Sequence, residues 1–333
     1  MNSKLLKRVT LAAGIALAST GVQAETVLKL ASVAPTSSPW GQWIQGVAAH
    51  IEDISGGKLK IELLLDAQAG DEQTIVRQTV KGRMDIAYVS AVPLTLLAEE
   101  MTLTMAPYLW DNADQGTCAA HEHLLDGFSG IMEDAGVKPL GWMEVGHAII
   151  FSKDPVRSPS DLEGVKVRTE HSRAASMIID TVGGVSVPTG LAEAIPGLQT
   201  GLADAMTTAA VYGIAIGTHK VAPHVTVTNH SRVIGTVAVS KVVWDGLSAQ
   251  EQEWLSSVSS LTPGLTQAIL GAENALLGQL AGAGVPVHHL SAEEEAEWRA
   301  ATSGVLDTLV DQVGGRSSEV VDMLMAAKAA CSS

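Results

Sequence analysis

Apolar and polar residues alternate along Val27-Leu28-Lys29-Leu30-Ala31, and that period of two predicts a strand. Ser38-Pro39 then supplies an N-cap and a first-turn proline. Trp43, Val47, Ile51 and Ile54 follow at helical spacing until Gly56-Gly57 stops the helix. Residues 59–65 read as a second strand. Asp71 caps a helix carrying Ile75, Val76 and Val80 that ends at Gly82, and 84–89 reads as a third strand. This β-α-β-α-β order predicts a parallel sheet with right-handed crossovers.

Beyond it, 93–98 and 114–125 have helical patterns, separated by the irregular Ala106-Pro107-Tyr108-Leu109-Trp110, and another helix ends near Gly136. The extended 138–152 stretch predicts a first crossing between domains. A second α/β unit opens at Ser160-Asp161-Leu162-Glu163-Gly164, a turn feeding the short strand Val165-Lys166-Val167-Arg168-Thr169. Helix 172–182, strand 185–187, a helix over 191–199 bent at Pro196, strand 203–206 and helix 209–216 follow. Two β-rich pieces, 225–227 and 233–243, carry the chain back. Ser248-Ala249-Gln250-Glu251 is a capping box opening a long helical region that is interrupted at Pro263-Gly264 and runs to 281; Ser291-Ala292-Glu293-Glu294 opens the C-terminal helices. The expected fold is α/β, a hinged clamp of two domains: 25–147 plus 236–283, and 148–235 plus 284–333.

The first 24 residues stand outside both domains. Lys4, Lys7 and Arg8 precede an apolar run at 11–18 and a small-residue site at Val22-Gln23-Ala24, a secretory signal pattern that predicts cleavage after Ala24 and a periplasmic product. Its removal takes away three cations and no acids, so the formal charge falls from −15 to −18. So acidic a chain is unsuited to a nucleic-acid partner. No later run of about 18 apolar residues argues for stable membrane insertion. Cys118 and Cys331 allow one disulfide or two unpaired thiols.

The residue that draws attention is Arg168. In open α/β sheets ligands settle beyond the carboxyl ends of strands, where a guanidinium suits a carboxylate; the alternative is an arginine satisfied by one of the chain's own acids. Catalytic constellations are mostly absent: there is no nucleophile elbow, phosphate loop, G-x-G-x-x-G after a strand or zinc-binding H-E-x-x-H, and no cofactor is expected. His121-Glu122-His123 reads as a solvated helical face, because imidazoles two residues apart on a helix point in different directions and cannot share a metal. His288-His289 reads as a surface loop. Asp204 and Glu193 make an acid pair without a nucleophile beside them.

Taken together, Asp161 to Arg168, the run Glu193 to Leu198-Gln199-Thr200-Gly201-Leu202-Ala203-Asp204, and Val227-Thr228-Asn229-His230 resemble the solute-binding proteins of tripartite ATP-independent periplasmic (TRAP) transporters. The resemblance continues through Ser55-Gly56-Gly57-Lys58-Leu59-Lys60-Ile61, the loop Gln68 to Asp71, Ala106-Pro107-Tyr108-Leu109 and Ser240-Lys241-Val242-Val243-Trp244, covering nearly all the chain after residue 24 in order. It implies two domains of the periplasmic-binding-protein kind bridged by a long helix. It also implies capture of a small organic acid, delivery to TRAP membrane permease subunits, no catalysis, and Arg168 as the carboxylate clamp. The chain departs from the family pattern in having His147 after Gly146 where many members have a second arginine, Thr208 where they have asparagine, and Leu191 for an aromatic ahead of Glu193. These changes imply fewer charged contacts and a more apolar pocket. Trp40, Gln68, Asp71, Tyr88 and Ser90 are further candidate wall residues, lying at strand ends or in the loops after them. Trp40 and Tyr88 suit core packing equally well, Ser90 and Thr208 suit capping, and His147 suits a hydrogen bond to a carbonyl. Two rival functions stay open: a receptor for an ABC importer, and a secreted hydrolase or lyase assembled from distant loops.

Overall fold

The computed structural model describes residues 25–332, and the signal-peptide expectation over 1–24 lies outside the described residues. Nine strands of these residues join in one sheet: β1 (Thr26–Ala31), β2 (Leu59–Leu64), β3 (Ile86–Ser90), β4 (Val137–Ser152), β5 (Lys166–Thr169), β6 (Val185–Pro188), β7 (Ala205–Ala209), β8 (His224–Ser240) and β9 (Val287–His289). Their spatial order is β2-β1-β3-β8-β4-β7-β5-β6, with β9 on β8. β1 to β3 are mutually parallel, as are β5 to β7; β4 and β8 run antiparallel to each other, β4 antiparallel to β7 and β8 to β3, while β9 runs parallel to β8. The two predicted units are therefore lobes of one sheet, joined by a two-stranded ribbon 16 and 17 residues long. Its register shifts at Pro139/Gly141, Glu144/Gly146 and Ala148/Ile150, and such bulges bend and twist a ribbon.

Apolar side chains on each face of the sheet meet helices. In the first lobe Leu28, Leu30 and Tyr88 pack with Trp40, Ile44 and Ile51 on one face, while Ala87 and Val89 face Ile75, Phe128 and Met132 on the other. The second lobe has cores around Phe151, Leu198 and Met206, and around Val167, Ile179 and Trp298. The helix Thr262–Gly282 enters both: Leu265 and Ile269 belong to the first lobe, Leu277 and Leu280 to the second. Pro263 stands in its first turn, where proline has no hydrogen bond to lose. The interruption read at 263–264 is thus a helix start, preceded by the 3-10 turn Ser257–Leu261.

Several boundaries differ from the sequence reading. The 114–125 pattern is split at His123 into Ala113–Glu122 and Leu124–Asp134, with Asn112 capping the first half by accepting from Gln115 N at 2.9 Å. The 93–98 stretch holds the end of a short helix, Ala91–Leu94, followed by the 3-10 turn Glu99–Met105. The C-terminal helix Ser317–Ala330, assigned to the second unit, packs instead on the first lobe. Val320, Leu324 and Ala327 share a core with Phe128 and Ile75, and Cys331 is disulfide-bonded to Cys118 with Cα atoms 5.8 Å apart. No helix of the described residues is long and apolar enough to cross a membrane.

Candidate binding cleft

The carboxyl ends of β1, β3, β5, β6 and β7 converge on a cleft of about 520 Å³ between the lobes, floored by Val145 and Val233 of the ribbon. Arg168 reaches it from β5. Only 2% of the residue is exposed, and its guanidinium is held by one neutral neighbour: Nε donates to Thr189 Oγ1 at 3.3 Å and Nη2 to the Thr189 carbonyl at 2.5 Å. Nη1 is buried without a partner. No carboxylate of the described residues forms an ion pair with Arg168, so the alternative of an arginine spent on the chain's own acids does not hold. Burial pushes its pKa down against the opposing field of Glu170, yet a guanidinium keeps its proton in a protein.

Facing it are acids. Glu72, in the first turn of the helix Glu72–Val80, accepts from the Ser90 amide at 2.6 Å and the Ser90 hydroxyl at 2.7 Å. Burial raises its pKa, the Ser90 hydrogen bonds oppose that, and Asp71 and Glu170 raise it further. Burial likewise raises Glu170, with Arg168 pulling the other way. Asp71 also lines the cleft while capping its helix, accepting from Thr74 N at 2.8 Å, and the Thr74 hydrogen bonds hold its carboxyl low.

Trp40 and Tyr88 serve as core and wall at once. Both are 4% exposed and both line the cleft; Trp40 Nε1 donates to the Glu144 carbonyl at 3.1 Å, whereas the Tyr88 hydroxyl is buried without a partner. Leu191, Glu193 and Thr208 line the second-lobe side. Glu193 is occupied in its helix's first turn, accepting from Gly190 N at 2.7 Å. Ser90 gives its hydroxyl to Glu72 rather than capping the helix that follows it.

Two candidates lie elsewhere. Gln68 is exposed and outside the cleft lining, although Ala67 and Gly70 of the same loop line it; the backbone just before Gln68 is left-handed at Asp66 and Ala67 (φ 54° and 58°). His147 faces the long helix, its amide donating to Glu273 Oε1 at 2.6 Å and its Nδ1 lying 2.9 Å from Oε2, and it borders a separate cavity of about 310 Å³. The arginine opposite His147 in the ribbon, Arg232, is also spent. It is ion-paired to buried Glu144 and donates to the Ala113 carbonyl at 2.7 Å and to Thr117 Oγ1 at 2.9 Å.

The remaining sequence candidates resolve into structural roles. His121 is half-buried rather than solvated, bonded to Thr266 at 3.0 Å and Thr262 at 3.2 Å. His288-His289 form the end of β9 rather than a loop, and His288 pairs with Glu294. Asp204 pairs with Lys153 and Lys166, not with Glu193. The one grouping of potential metal ligands among the described residues is Cys118, His123 and Cys331, and its two sulfurs are bonded to each other instead of being free thiolates. Sequence reasoning missed Glu72, Glu170, Thr189 and Tyr212. Glu170 had a signal: it follows directly on the strand end Arg168-Thr169, where ligands of open α/β sheets settle.

Residues 30–312 match the family model for bacterial extracellular solute-binding protein, family 7. The chain belongs to this family. Its relatives include the C4-dicarboxylate-binding periplasmic protein DctP of Rhodobacter capsulatus, 23% identical over 318 residues, covering 93% of this chain and 94% of that one. The fold matches the sugar-acid-binding protein of Advenella mimigardefordensis in complex with galactonate, with a TM-score of 0.87, 20% identity and coverage of 93% and 99%. It matches equally a TRAP periplasmic solute-binding protein of Desulfovibrio salexigens with bound orotic acid, with a TM-score of 0.87, 15% identity and coverage of 92% and 100%. The resemblance read from the sequence is borne out, and family 7 members are solute receptors, not enzymes.

Proposed function

We propose that this family 7 receptor captures a small organic carboxylate between its lobes and delivers it to TRAP membrane permease subunits. The observation that carries the reading is Arg168, a buried cation at a strand end that lines the cleft, with one nitrogen unpartnered and only a threonine holding the rest. Charge-assisted hydrogen bonds contribute about 1.5–3 kcal/mol each, while a micromolar complex needs about 8 kcal/mol, so Arg168 acts with other walls. Thr208, Leu191 and Glu193 supply the second lobe's side; Trp40, Tyr88, Ser90 and Asp71 supply the first. A ligand touching both sides favours the closed arrangement over the open one. The moving bodies in this reading are 25–147 with 236–283 against 148–235 with 284–304, the last two helices travelling with the first body. Export to the periplasm with cleavage after Ala24 completes it. The bound ligands of the two solved relatives and the dicarboxylate of the Rhodobacter protein support an acid as cargo.

Calorimetry against mono- and dicarboxylates, sugar acids and amino acids tests the proposal. Arg168→Ala is expected to weaken binding by about 2 kcal/mol or more, roughly thirtyfold. Unchanged affinity in that variant removes Arg168 from the site, and ligand recovered chemically altered overturns the receptor reading.

A further inference from the structure

Charge is distributed unevenly across the cleft. The second lobe offers one guanidinium, on Arg168, with a nitrogen buried and unpartnered. The first lobe offers the Glu72 carboxyl with Asp71 beside it, and Glu170 stands between them in the field of both Glu72 and Arg168. A dianion would find Arg168, with His171 as the one other potentially cationic side chain of the lining, against several carboxyls. Rings and methyl groups make up much of the remaining wall, from Trp40, Tyr88 and Tyr212 and from Val33, Val145 and Val233, with Ser32, Gln73, Thr189 and Thr208 among its uncharged polar side chains. Two of the polar side chains are already committed within the protein, Ser90 donating to Glu72 and Glu193 accepting from Gly190.

Resting on the carboxylate reading above, we infer that the cargo is a small zwitterion, its carboxylate on Arg168 and an ammonium group, free or alkylated, beside Glu72 among the aromatic rings. A carboxylate and an aromatic face are the two protein groups that attract an organic cation. The buried, unpartnered Tyr88 hydroxyl adds an acceptor on the same wall. Each end of such a ligand belongs to a different lobe. Only a molecule carrying both charges bridges them, which ties selectivity to closure.

The test uses the full mature chain and calorimetry with glycine betaine, 4-aminobutanoate and 5-aminopentanoate as zwitterions, with butanoate, succinate, galactonate and choline as counterparts. The expected tightest ligand is a zwitterion, at least tenfold tighter than butanoate. Glu72→Gln is expected to weaken the zwitterion at least tenfold and butanoate less than twofold, with Tyr88→Phe, which removes only the hydroxyl, as a second variant and a melting curve as the folding control for both. Succinate or galactonate binding tightest, or no binding by any of the three zwitterions, overturns the inference. The carboxylate reading survives the first of these results provided Arg168→Ala abolishes that binding. Choline binding tightest, indifferent to Arg168→Ala, overturns both.

Discussion

The carboxylate of Glu273 occupies the space that a side chain at Gly146 would need: a Cβ built there lies 2.5 Å from Oε1. Gly146 has φ +120°, outside the range other residues adopt readily, and the same Oε1 accepts the His147 amide. Gly146→Ala is therefore expected to destabilise the protein by about 2 kcal/mol or more through backbone strain and displacement of Glu273. Denaturant melts check this, and a loss below about 0.5 kcal/mol would show that the long helix yields without cost.

Arg232 and Arg168 are expected to respond oppositely to removal of their charge. Arg232→Met leaves buried Glu144 without its cation and is expected to cost about 3–5 kcal/mol of stability. Arg168→Met leaves no ion pair broken and is expected to be near neutral or stabilising in the empty protein while weakening carboxylate binding by about 2 kcal/mol or more. Paired melting and calorimetric measurements on the two variants separate a structural arginine from a ligand-binding one.

His230 gives a pH dependence. It is fully buried between Thr207 Oγ1 at 3.0 Å and Thr228 Oγ1 at 2.7 Å, and burial alone pushes its pKa from 6.5 down to about 4. The unfolded chain therefore binds the extra proton between those values and the folded one does not, so stability rises with pH across that window. The contribution is fully present above pH 6.5, falls as pH drops toward 4, and amounts to about 3 kcal/mol at most. His230→Asn should flatten the melting-temperature profile between pH 4 and 6.5 relative to the parent. Parallel profiles would assign the acid lability to other groups.

The Cys118–Cys331 bond closes a loop with a sequence separation of 213. In the chain-entropy model a loop of that length stabilises by about 5 kcal/mol. Cys331→Ser is expected to lower the melting temperature, while carboxylate affinity stays within twofold because the bond lies outside the cleft lining. A variant that melts like the parent would show that the C-terminal helix is held by its apolar face alone.

What could be read from the chain was whatever neighbouring residues decide. The alternation through Leu28 and Leu30, the caps at Ser38, Asp71, Ser248 and Ser291, and the placement of Arg168 at a strand end are local, and all appear in the structure. His147 was misread as a cleft residue because its direction is set by Glu273, 126 positions away, and by a register shift at Gly146. Gln68 was misread because the turn before it continues through left-handed backbone at Ala67, a conformation an alanine does not advertise. The seat of the last helix was hidden for the same reason as the disulfide. Both depend on which distant surface the chain returns to.

The continuous hydrogen-bonded ribbon of β4 and β8 gives the jaws a particular mechanical character. Because the same paired strands run through both halves, opening does not require a row of backbone bonds to break; it stores elastic torsion in a short beam already weakened at its bulges. In the proposed cycle, release of cargo then resembles the flexing of a spring more than the swing of a free gate, and stiffening that beam is expected to slow exchange even with every ligand contact unchanged.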